Sequence, residues 1–172
     1  VTCSHSGQTG NSVSTQINLN SFKDCYCVSS PGGTSDEDIF EFTFNGVLNE
    51  SFCDTVAPGP NSVLNLYSNF HPLGNLTSVA LNSSVPFSIK ADDCDEAPYF
   101  AFAGAVWIDF NQNGSFEDVG EKVFVENAGS NGPRTINSTI SIPCTALLGQ
   151  TGMRIIIAEG LAGNNLNPCG IY

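Results

Sequence analysis

The chain has 172 residues, with 17 Asp and Glu against 5 Lys and Arg, a formal net charge of -12, 7 cysteines, 17 glycines and 9 prolines. A length near 170 favours one domain with a substantial core, because a chain of this size buries roughly 70% of its unfolded surface. So acidic a field repels phosphate backbones and anionic headgroups, which argues against nucleic acid and membrane surfaces as partners, and no apolar run reaches the ~18 residues that membrane insertion as a helix requires.

The chain opens Val1-Thr2-Cys3, without an initiator methionine or a basic-then-apolar leader, and reads as a mature secreted product. Residues 1–24 hold few large apolar side chains. Within them Val13, Thr15, Ile17 and Leu19 alternate with polar residues, which predicts one strand over 12–20 inside an arm of residues 1–25. That strand either packs in cis as the first strand of its own domain or serves another chain. Alternation in Phe40, Phe42 and Phe44, in Val63, Leu64 and Leu66, and in Val85, Phe87 and Ile89 predicts further strands. Near-continuous apolar runs, Tyr99 to Phe110 and Met153 to Ala158, predict buried ones. Turn clusters such as Ser30-Pro31-Gly32-Gly33 and Gly129-Ser130-Asn131-Gly132-Pro133 separate them, and no stretch of ten residues carries a helical period with caps. Eight or nine short strands predict an all-β fold, an antiparallel β-sandwich or jelly-roll-like Greek key over residues 26–172, preceded by the extended arm.

The most specific local feature is the acidic loop that follows Val106-Trp107-Ile108. Asp109, Asn111 and Asn113 place oxygens at alternate positions ahead of Gly114, with Asp118 and Glu121 further on, like the front half of an EF-hand calcium loop. A structural, weak Ca²⁺ site of about 10⁻⁴ to 10⁻³ M is one reading. A hairpin turn whose Asp and Asn side chains satisfy backbone amides without metal is the other. The cluster Asp92-Asp93-Cys94-Asp95-Glu96 reads as a solvated loop.

Seven cysteines match no zinc spacing and read as disulfides of an extracellular protein, with one thiol left over. Sequons stand at Asn49, Asn75, Asn82, Asn113 and Asn137; the first three and Asn137 are glycan candidates on turns, whereas a glycan on Asn113 would compete with metal there. Neither His5, in the arm, nor His71, before a proline, sits in a recognisable nucleophile motif, so no enzyme is expected. Tyr67, Phe70, Tyr99 and Trp107 are the aromatics to inspect for sugar binding, with Trp107 expected in the core.

Several segments together resemble the GEVED domain of secreted and cell-surface proteins: Tyr26-Cys27, Asn45-Gly46, Tyr67-Ser68-Asn69-Phe70, the run Val106 to Phe116 with Gly120-Glu121, Gly149 to Arg154, and Pro168-Cys169-Gly170. The resemblance spans residues 26–172. It implies a β-sandwich module without established catalysis and a Cys27–Cys169 disulfide joining the two ends of the domain. The family's final Gly-Glu-Val-Glu-Asp-Tyr strand is not present in this sequence. Either the chain is merely trimmed and the final strand was left out, or a strand from elsewhere is needed, and the 12–20 segment has the pattern for it. Donated to a neighbouring copy, it would build a homopolymeric filament, with Cys3 as an intermolecular cysteine. The alternative is a calcium-supported adhesive or carbohydrate-binding module.

Overall fold

The computed structural model describes residues 26–33, 37–71, 77–94 and 98–172. The arm, with its predicted strand and Cys3, lies outside these residues, as do Asn75, Asp95 and Glu96.

Among the described residues eight strands follow in chain order: β1 (Glu37–Phe44), β2 (Val47–Glu50), β3 (Ser84–Asp93), β4 (Ala101–Ile108), β5 (Lys122–Val125), β6 (Ser130–Asn131), β7 (Arg134–Ser141) and β8 (Met153–Glu159). They form two antiparallel sheets. The first runs β2-β1-β3-β7; in the second, β5 and then β6 pair with one side of β4 and β8 with the other. The fold is the predicted all-β sandwich. Among the described residues there is no α-helix; a 3-10 turn spans Gly163–Asn165.

Period-two patterning builds the core. Phe42 and Phe44 of β1, Val85, Phe87 and Ile89 of β3, and Ile136 and Ile140 of β7 point from the first sheet onto Phe102, Val106 and Ile108 of β4. Aromatic edge-to-face contact between Phe87 and Phe124, at 5.0 Å, ties the two sheets together. The other face of β4 is also covered. Ala105 and Trp107 sit under Phe116 and Leu166, with Tyr26 and Tyr172 packed alongside. This second layer explains why β4 reads as a continuous apolar run, and it buries Trp107 to 1% exposure, which removes that ring from any sugar-binding surface.

Three expectations change. Val63, Leu64 and Leu66 do not form a strand: Asn61 and Asn65 adopt positive φ, and the segment curls into a turn closed by a lone bridge between Val63 and Tyr67. Asp92 and Asp93 end β3 opposite Asp38 and Glu37 instead of lying in a loop. Asn49 and Asn137 stand in β2 and β7 instead of on turns; Asn82 alone of the three is in a turn, at φ 55°.

Candidate functional site

The acidic loop is stabilised largely by its own side chains. Asp109, fully buried at the end of β4, accepts hydrogen bonds from the backbone N–H of Asn113 (3.2 Å) and Gly114 (3.0 Å) and from the Tyr26 hydroxyl (2.8 Å). Gly114 adopts φ 82°, which suits glycine at the sharp turn. Asn111 and Asn113 direct their amide groups at Asp118 Oδ2, at 3.1 and 2.7 Å, while their oxygens cap the N–H groups of Asn113 and Ser115. Those amide donors hold the Asp118 carboxyl below its ordinary value. Glu121 is buried, and its Oε1 accepts from Phe110 N at 2.9 Å. Burial pushes the Glu121 carboxyl up against the lowering effect of these N–H donors, and the charge of Asp109 adds to the rise.

The five predicted ligand residues are therefore brought into one loop, with different present duties. Asp109 and Asn113 serve the turn. Among the described residues, no three His, Cys, Asp or Glu side chains gather as a metal-holding group.

Tyr26 links this loop to the chain termini. Its ring stacks on Phe116 at 4.2 Å, and its hydroxyl accepts from Gly152 N at 3.0 Å while donating to Asp109. Burial first, then the hydrogen bond to Asp109, pushes that hydroxyl well above the usual tyrosine range, so it remains a donor. A side chain at Gly152 would strike the Tyr26 ring at 2.6 Å. Arg154 lies over the Phe116 ring and donates to the Pro168 carbonyl and to Cys27 Sγ. The Cys27–Cys169 disulfide implied by the family resemblance is formed, and a second joins Cys53 to Cys94. Bonds of this kind persist in oxidising compartments. Replacing Tyr26 by Phe is expected to destabilise the fold by about 1–3 kcal/mol, because Gly152 N loses its acceptor and buried Asp109 one of its donors. Urea unfolding checks this, and an unchanged midpoint would show that the buttress contributes nothing.

The second feature is an open edge, which the sequence reading did not locate. β8 packs across from β1, and β5 across from β7, so among the described residues no strand of the second sheet lies opposite β2. Backbone bonds from Asp109 N to Gly152 O and from Gly160 N to Ala101 O bracket the β4–β8 ladder. The antiparallel alternation then turns the N–H and C=O groups of Met153, Ile155 and Ile157 toward the open edge. The same three side chains face the core between the sheets. A broad cavity of about 1560 Å³, shared with the 60–71 and 146–152 segments, takes in this edge, with Phe42, Phe44, Val47, Ile155 and Ile157 among its lining. The signal for it lay in counting strands per sheet, which requires the pairing.

Residues 104–172, from within β4 to Tyr172, match the family model of the GEVED domain, a non-catalytic domain family. The match covers a shorter stretch than the resemblance read over 26–172. No curated protein and no solved structure matches the chain.

Proposed function

We propose that this chain, whose residues 104–172 match the GEVED domain, is an extracellular structural subunit that assembles head to tail into a filament or surface fibre. The strand predicted over residues 12–20 of one copy lies along β8 of the next and fills the groove beside it. The observation that carries this reading is the edge of β8, which no strand among the described residues covers: its outward backbone groups flank an apolar trench, and proteins seldom leave such an edge uncovered.

The occupant fits in pattern and length. Val13, Thr15, Ile17 and Leu19 form a period-two face to set between Ile155 and Ile157 on one wall and Phe42 and Phe44 on the other. Nine residues extend to roughly 30 Å, enough to span the seven residues of β8. The cysteine count leaves room for a bond between copies. Two disulfides use four of the seven cysteines and Cys144 is free and exposed, so at least one thiol of the odd total has no partner within its own chain. Donation to the next copy is a heterologous contact that does not close on itself, and it propagates a fibre.

Negative-stain microscopy of the purified full chain tests the reading: fibres of uniform width are expected, and a field of single particles at high protein concentration would refute it. Cys3 is the arm's candidate for a bond between copies. Cys3→Ser is expected to abolish the ladder of covalent multimers on a non-reducing gel while leaving the fibres visible, and an unchanged ladder would remove Cys3 from that role.

A further inference from the structure

We propose that the cleft between the acidic loop and the Pro143–Thr145 turn binds a divalent cation of the calcium class, held by the carboxylates of Glu121 and Asp118. The cleft, of about 280 Å³, is lined by Phe110, Asn111, Asp118, Glu121, Pro143 and Thr145 among others. Glu121 is only 2% exposed, yet among the described residues its buried Oε2 has no hydrogen-bond partner. Such an oxygen is costly: a buried carboxylate normally has its lone pairs satisfied by donors or by a cation.

No basic side chain described in the structure reaches it. Lys90 pairs with Glu41, Arg134 with Glu126, Lys122 donates to the carbonyls of Asn164 and Leu166, and Arg154 donates to Pro168. Since no cation among the described residues engages that oxygen, a counter-ion from solution is well placed to do so.

The neighbouring groups fit an oxygen-seeking ion. Among the described residues the Asp118 carboxylate is bonded only through Oδ2, to the amides of Asn111 and Asn113, which leaves Oδ1 for an ion. Glu121 N bonds to the Asp118 carbonyl at 3.2 Å, which keeps the two residues in one turn. Asp109 takes no part, because its oxygens already cap Asn113, Gly114 and Tyr26. Hard oxygens without nitrogen or sulfur select calcium or magnesium, and an open cleft where water completes an irregular shell favours calcium. Two carboxylates place the affinity at the weak extracellular end, roughly 10⁻⁴ to 10⁻³ M. The site is independent of fibre formation.

Calorimetric titration of calcium chloride into the full chain, paired with thermal melts in chelator and in calcium at about 10 mM, roughly ten times the weakest affinity expected, tests the assignment. Saturable binding with weaker binding of magnesium is expected, together with a melting temperature raised by calcium. Glu121→Gln is expected to lose the binding and the calcium-induced shift, while melting in chelator no lower than the parent, since it removes an unpartnered buried charge. Asp118→Asn, at an exposed position, is expected to weaken binding at least several-fold without disturbing the fold. No saturable heat and no shift in the parent chain would overturn the proposal, as would magnesium binding equally well. Calcium binding that survives both substitutions, or Glu121→Gln melting lower by the same amount in both buffers, would also overturn it, the latter because it marks a purely internal role.

Discussion

Deleting residues 1–22 is expected to abolish fibres and leave single domains or protein that aggregates without order. On the proposed donation the arm would supply three apolar anchors, Val13, Ile17 and Leu19, each worth roughly 1.5–3 kcal/mol when fully buried, plus a ladder of backbone hydrogen bonds to Met153, Ile155 and Ile157 of β8. Without it, the trench walled by Phe42, Phe44, Ile155 and Ile157 stays open to water, and the exposed edge becomes a site for irregular association. Sedimentation and microscopy of the truncated chain against the full one give the answer. Fibres that form as well without residues 1–22 as with them would end the donor-strand account, whatever else holds the subunits together.

The second large effect is expected from replacing Cys27 and Cys169 together by serine. The bond closes a loop of 142 residues, and loop-closure entropy for that length amounts to about 5 kcal/mol in the unfolded chain. It also pins the two segments that cover Trp107, because Tyr26 adjoins Cys27 and the Pro168 carbonyl binds Arg154. Loss of about 4–5 kcal/mol is expected, seen as a fall in melting temperature on the order of 10–20 °C for a domain this size. The same exchange at Cys53 and Cys94, which close a loop of 41 residues, is expected to cost less. If the two pairs prove equal, or if the long loop matters less, then the clamp between the chain ends is not what holds the second layer of the sandwich.

Much of the architecture was legible because strands with one wet face write their alternation into the sequence. Phe40-Phe42-Phe44 and Val85-Phe87-Ile89 mark β1 and β3 directly, the run at Tyr99 to Phe110 contains β4, and the run at Met153 to Ala158 covers all but the last residue of β8. β7 was silent for the opposite reason: between Arg134 and Ser141 only Ile136 and Ile140 are apolar and buried, and the other six residues are polar. The turn at 61–67 misled because Val63, Leu64 and Leu66 supply apolar character while Asn61 and Asn65 take the positive φ that bends the chain. The acidic loop was located by its spacing, but spacing treats Asp109, Asn113, Asp118 and Glu121 alike. Only burial and hydrogen bonding separate Asp109, whose oxygens are used, from Glu121, whose Oε2 is not. Tyr26 as the link between that loop and the termini depends on a contact across 83 residues, which no local pattern carries.

The most direct measurement of strand donation mixes two variants, each disabled on one side. One lacks residues 1–22 and keeps its groove; the other keeps its arm and carries Ile155→Pro, which removes an outward N–H from β8 and blocks a strand from adding there, while that position donates nothing to β4. Neither assembles alone on this account. Light scattering after size exclusion of the mixture is predicted to show a single 1:1 complex, because the arm of the second fills the groove of the first and no further site remains. Two unassociated species would contradict it, and would place the arm in its own domain.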